Sequence, residues 1–140
     1  MVSKILKDVI YYLLDWEADG RRYAEEPDSH GLDGELCLIF ESGEKMFVTW
    51  RDPVIKNGDY SIDFAPKRST TSEVSRTCNM AGHSLWKSFV EQRVCLRREQ
   101  IHNTCMVVLT AENGQQLFCC PYEEKQWGAD TLYISQTIPT

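Results

Sequence analysis

Three histidines (His30, His83, His102) and six cysteines are the side chains of this 140-residue chain best suited to nucleophilic or metal chemistry. His102 and Cys105 stand at i and i+3, close enough for a thiol to meet a base. A thiolate nucleophile also needs an oriented base and a defined oxyanion site, and no residue pattern supplies either. Cys105 therefore reads as a buried cysteine and His102 as a surface histidine. His30 with Asp28 and Asp33 offers a hard or borderline metal set. The D-x-D-x-D-G register of a calcium loop is absent, so a solvated loop is expected there. Glu25-Glu26 and Glu123-Glu124 are adjacent carboxylates expected to face water. The sequence has no G-x-G-x-x-G and no G-x-x-x-x-G-K phosphate loop. Accordingly no catalytic residue, no metal ligand and no cofactor site is assigned, and a non-enzymatic protein is expected.

The cysteines are Cys37, Cys78, Cys95, Cys105, Cys119 and Cys120. Four of them, Cys37, Cys105, Cys119 and Cys120, lie in apolar strand patterns, where free cysteine behaves as a small hydrophobe. Adjacent Cys119 and Cys120 must point to opposite faces of a strand. With no C-x-x-C pair there is no support for a zinc knuckle or a thioredoxin-like site. Six free thiols in a reducing cytosol are expected. No apolar run approaches the roughly 20 residues that span a membrane. The start, MVSKILKDVIYYLLDWE, reads as folded chain because it lacks a small-residue cleavage site and soon meets Asp15, Glu17 and Asp19. A cytoplasmic location is expected.

The net charge of −6 is local, because Asp15 to Glu35 holds eight acidic and two basic residues while the remainder is neutral. Such a segment is an electrostatic feature for a partner, and it argues against nucleic acid as direct ligand, which needs concentrated Lys and Arg. Of the four tryptophans, Trp86 falls on the apolar face of a helical pattern. Trp50 ends a strand and Trp127 lies in a polar stretch, so those two are the better candidates for exposure. Glu25, Glu26, Asp28 and Asp33, beside Trp50 or Trp127, are the expected partner contacts.

The elements that must position these residues are mostly strands. Residues 35–50 read as a hairpin around Gly43, and residues 106–120 as a second one around Asn113-Gly114. Residues 4–16 fit a helix or a buried strand; a short turn at 3–7 followed by a strand through Trp16 is preferred. Residues 17–34 read as a loop punctuated by Gly20, Pro27, Gly31 and Gly34. Asp52-Pro53 breaks the first hairpin and Asn57-Gly58 turns the chain. Tyr60, Ile62 and Phe64 then alternate as a half-buried strand. Ser84 can cap one or two helical turns carrying Leu85, Trp86, Phe89 and Val90. Val94 and Leu96 begin another strand. Pro121 should end the second hairpin, leaving a loop before a last strand with Leu132 and Ile134.

At an offset of 71 the halves overlay: Leu38 on Leu109, Glu41 on Glu112, Gly43 on Gly114, Phe47 on Phe118, and Asp59 on Asp130. Upstream, Leu6-Lys7 resembles Trp86-Lys87. The overlay predicts one domain, 1–140, with internal halves 1–65 and 83–140 joined by a polar crossover at 66–82. The fold class expected is mainly β (α+β): two antiparallel sheets or a rolled barrel from two similar halves, with one or two short helices.

The strands LIFESGEKMF and LTAENGQQLF, with the acidity and the size, resemble small bacterial immunity-type proteins built of two β-rich halves. That resemblance implies a cytosolic protein that binds a toxin domain and blocks it without catalysis, and it carries no site residue over by position. The partner would be a protein, such as a basic toxin domain. The alternative reading is a small-ligand-binding β-barrel protein or enzyme with a Trp/Cys-lined pocket. A third is a structural subunit that dimerises through a strand edge.

Overall fold

The computed structural model describes residues 3–14, 23, 26–51, 60–68 and 76–140. Their ten strands are β1 (Lys4–Leu13), β2 (Ser29–Leu32), β3 (Glu35–Phe40), β4 (Lys45–Trp50), β5 (Ile62–Ala65), β6 (Arg76–Asn79), β7 (Arg93–Ile101), β8 (Thr104–Ala111), β9 (Gln116–Glu123) and β10 (Gln126–Ser135). The protein is mainly β. All pairs are antiparallel, and the strands form one sheet in the order β2-β10-β9-β8-β7-β1-β3-β4-β5, with β6 also on β1.

The sheet is two four-strand meanders joined edge to edge. β1-β3-β4-β5 is one and β7-β8-β9-β10 the other, and the seam is the short pairing of Lys4 with Val94 and Ile5 with Arg93. Beyond the seam β7 diverges and β6 takes its place along β1, pairing Ile10 to Leu13. The registers agree across the meanders. Leu38 pairs Met46 as Leu109 pairs Leu117, and Leu36 pairs Val48 as Val107 pairs Cys119. The turns also agree: Gly43 N donates to Phe40 O and Gly114 N to Ala111 O, each at 2.9 Å, with φ of 90° and 91°. Only glycine takes that conformation without strain. The upstream match differs from expectation. Leu6 opposes Phe40 as Val94 opposes Ala111, so β1 corresponds to β7 and not to the Trp86 segment. Asp59 lies outside the described residues.

A core common to both meanders fills the inner face, with Leu6, Val9, Leu38, Phe40, Leu96, Val107, Leu109, Cys119 and Ile134 all buried. Met106, Val108, Phe118, Cys120 and Tyr122 form a second cluster on the other face of the second meander. Cys119 and Cys120 therefore do point to opposite sides. All six cysteines are free.

Several local expectations are corrected. β1 starts at Lys4, with no preceding turn through Lys7. Two short strands, β2 and β6, occupy stretches read as loop and crossover. β9 runs through Pro121, which faces Leu132 where the β9–β10 register shifts; a proline is tolerated in a sheet at such a bulge because no ladder donor is required of it. The β9–β10 connection is then a tight turn at Glu124 and Lys125, both at positive φ. Residues 81–92 form successive turns instead of a regular helix. His83 O accepts from Trp86 N and Lys87 N, and Trp86 O from Phe89 N and Val90 N. The bonding restarts at every third residue and does not propagate.

Candidate functional site

The buried polar centre of the molecule is a network that includes His30, expected in a solvated loop, together with Tyr11 and Trp86. His30 is fully buried, because its strand β2 adds to the edge of β10, pairing His30 with Ile134. Trp86 Nε1 donates to Tyr11 Oη at 2.7 Å, and Tyr11 Oη lies 2.7 Å from His30 Nδ1. An indole N–H only donates and a carbonyl only accepts. The phenol therefore accepts from Trp86, the neutral His30 carries its proton on Nε2 toward Glu26 O, and the Tyr11 O–H donates to Nδ1. His30 Nε2–H then donates to Glu26 O at 2.8 Å. His83 repeats the arrangement. Its Nδ1 accepts from Leu85 N at 3.0 Å and its Nε2–H donates to Tyr23 O. The two imidazole rings are 4.5 Å apart, and Tyr23 lies 4.7 Å from His30. Burial pushes the Tyr11 phenol well above its ordinary value, although the Trp86 hydrogen bond opposes the shift. Both ring nitrogens of His30 are engaged, so it is not held open for a metal with Asp28 and Asp33. Among the described residues no group of three His, Cys, Asp or Glu side chains is placed to hold a metal ion.

Of the expected contacts, Glu25 lies outside the described residues. Glu26 and Asp28 are exposed, and Asp33 is half-buried at the end of β2. Glu35, the last acid of the segment, turns inward and is fully buried. Its Oε2 is 3.2 Å from Arg68 Nε, and Thr49 Oγ1 donates to Oε1 at 3.3 Å. Desolvation pushes the Glu35 carboxyl up, and the Arg68 charge only partly opposes this. Glu35 thus belongs to the support under the site and not to its surface.

Trp50 and Trp127 are both half-buried, and the structure connects them. Trp50 Nε1 donates to Gly34 O at 2.9 Å, beside Asp33. The Trp50 ring meets the Tyr60 ring edge-on at 5.6 Å, and Tyr60 N donates to Gly128 O at 2.9 Å, beside Trp127. Trp127 in turn lies 5.4 Å from both His102 and Tyr122. Gly34, Trp50, Tyr60 and Gly128 are therefore linked in series, with Asp33 and Trp127 as chain neighbours of the two glycines. Trp50 packs against the inner core and Trp127 against the cluster on the other face. Tyr60, Tyr122 and His102 join these contacts without a local motif; their one sequence signal is a position at or beside strand ends.

His102 and Cys105 are not hydrogen-bonded to each other. His102 stacks near Trp127, while Cys105 N donates to Ser61 Oγ at 2.9 Å and its thiol reaches Met106 O. Cys105 does line a cleft of about 460 Å³ with Arg51, Ser61 and Arg98.

Compared with known proteins, the chain matches no family model, no curated protein and no solved structure. Among the described residues, no helix is long and apolar enough to cross a membrane.

Proposed function

We propose that this is a non-enzymatic binding protein, an immunity-type inhibitor that docks a basic toxin domain in the cytoplasm and blocks it. The observation that carries the reading is the link from Asp33 through Gly34, Trp50, Tyr60 and Gly128 to Trp127. Asp33 and two half-buried tryptophans come from distant parts of the chain and adjoin this link, while Glu26 and Asp28 precede β2, whose Ser29 pairs Ser135 at the end of β10 away from Trp127. Aromatic anchors ringed by charge are the composition of a protein-binding hot spot, and the acidic charge would steer a basic partner and speed its association. Glu25, Glu26, Asp28 and Asp33 supply the charge in this reading, with Trp50 and Trp127 as anchors.

The scaffold is read as a rolled barrel assembled from the two duplicated halves. Support comes from the far end of the first meander, where Ser61 and Tyr60 reach the backbone of Cys105 and Gly128 in the second.

The test is rescue from a toxin domain encoded beside the gene. Coexpression should restore growth, and the purified proteins should form a complex of defined stoichiometry. Growth arrest that persists with both proteins soluble would defeat the reading.

A further inference from the structure

Arg51 closes the first meander's β4 and Arg98 lies on β7 of the second, yet both reach one carboxylate. Asp63 Oδ2 is 3.4 Å from Arg51 Nε, and Asp63 Oδ1 takes Arg98 Nε. Asp63 is itself fixed, because Phe64 N donates to its Oδ1 at 2.8 Å. Arg98 is held flat with its guanidinium 4.1 Å from the Phe64 ring centre, and its Nη2 donates to Phe64 O at 3.3 Å. Two positive charges share one negative charge. The next carboxylate, Glu99, is engaged by Arg97 Nη2 at 3.5 Å. Glu99 also lines this cleft of about 460 Å³, and with its charge set against Arg97 the group Arg51, Arg98 and Asp63 keeps a surplus of one positive charge, in a chain whose net charge is −6. Because Asp63 takes the Nε edges, Arg98 Nη1 and both Nη groups of Arg51 have no partner among the described residues. The Ser61 and Thr104 hydroxyls share the lining. A guanidinium held flat with free Nη donors is the geometry that grips planar or tetrahedral oxyanions, and a cleft of this size suits a small molecule.

We propose that this cleft binds the oxyanion, carboxylate or phosphate, of a small molecule. The site is independent of docking by a toxin domain and can fail or stand without it. Its test is a titration of the whole protein with inorganic phosphate and, separately, with acetate at constant ionic strength, followed by the arginine side-chain Nε–H resonances. Saturable shifts at Arg51 and Arg98 are expected, and the tighter of the two probes identifies the acid group of the ligand. Arg98→Gln and Arg51→Gln should each weaken binding about tenfold or more, since each removes charge-assisted hydrogen bonds. Both arginines are more than a third exposed, so the fold should survive, as circular dichroism would confirm. Arg93→Gln is the control. Arg93 is exposed at the opposite end of β7, beside Ile5 at the seam, and its loss should change binding less than about twofold. No shift beyond that given by matched chloride, or an equal loss in Arg93→Gln, overturns the proposal.

Discussion

The indole of Trp86 and the phenol of Tyr11 are 75 residues apart in sequence and joined by a 2.7 Å hydrogen bond in the buried centre of the fold. The bond fastens the turn segment 81–92 onto β1, and through His30 it fastens β2 as well. The Tyr11 hydroxyl satisfies two groups at once. Tyr11→Phe removes the acceptor of the buried Trp86 N–H and the hydrogen bond to His30 Nδ1, and a buried donor left unpaired costs roughly 1–3 kcal/mol. We expect a loss of about 2–4 kcal/mol in urea unfolding, with retained β-sheet circular dichroism. A change below about 0.5 kcal/mol, the range of ordinary surface substitutions, would mean that water replaces the hydroxyl.

Glu35 gives a pH signature. Its carboxyl is pushed up from an ordinary value of 4.5 by burial, so the folded state binds its proton more tightly than the unfolded chain. Stability linked to this group is complete below pH 4.5 and is lost as pH rises through the higher folded value. Wild-type stability should therefore gain on Glu35→Gln as pH falls from neutrality toward 4.5. Chemical unfolding of both proteins across that window measures the difference, and a difference that stays flat or shrinks would contradict the assignment.

Gly43 and Gly114 have matched φ of 90° and 91°, and an added Cβ at either would meet nothing within 4 Å. The cost of Gly→Ala is thus conformational and not steric, about 1–2 kcal/mol at each position. The two variants should be nearly equal in unfolding free energy and additive in the double mutant. Unequal costs would show that the two hairpins, though alike in register, are held differently.

The hairpins were legible because glycine turns and alternating apolar residues fix register locally. β2 and β6 were not. Ser29-His30-Gly31-Leu32 holds one aliphatic residue, and its burial comes from β10 and from the Tyr11 network, neither of which is local. β6 pairs its backbone with β1 while its side chains stay largely exposed, so no apolar period marks it. Residues 84–90 carry a helical apolar spacing, but the packing of Trp86 against Tyr11 and Phe89 is met by linked turns. Of the site, the acidic residues and tryptophans were visible individually. Their connection through Tyr60 and Gly128 depends on tertiary contacts that no local pattern encodes.

Thiol reactivity follows burial. Cys119 is pushed up to about 12 and Cys120 is also raised, in both cases chiefly by desolvation. Cys78 and Cys95 are the two cysteines that are not buried. A thiolate-selective reagent at pH 8 should therefore titrate at most two thiols quickly in the native protein and all six after denaturation without reductant. Fast native reaction of four or more would place the outer-face cluster and the core closer to solvent than described.

The proposed contacts make a kinetic prediction that separates charge from anchors. Glu26 and Asp28 are exposed, and Asp33 adjoins the Gly34 carbonyl held by Trp50. Exposed charges act mainly on diffusional encounter, whereas a packed aromatic acts on the lifetime of the complex. With the toxin domain identified by growth rescue, changing Glu25, Glu26, Asp28 and Asp33 together to Ser or Asn should slow association roughly tenfold at low salt. It should also flatten the salt dependence and leave the melting temperature level or higher, because mutual repulsion is relieved. Trp127→Ala should instead leave association within about threefold and speed dissociation, with a loss of about 2 kcal/mol or more if the residue is an anchor. Unchanged association in the quadruple variant with unchanged dissociation in Trp127→Ala would remove these residues from the interface. The outer faces of the two hairpins, around Tyr12 and Phe47 in one meander and Phe118 and Tyr133 in the other, would then be the surfaces to mutate next.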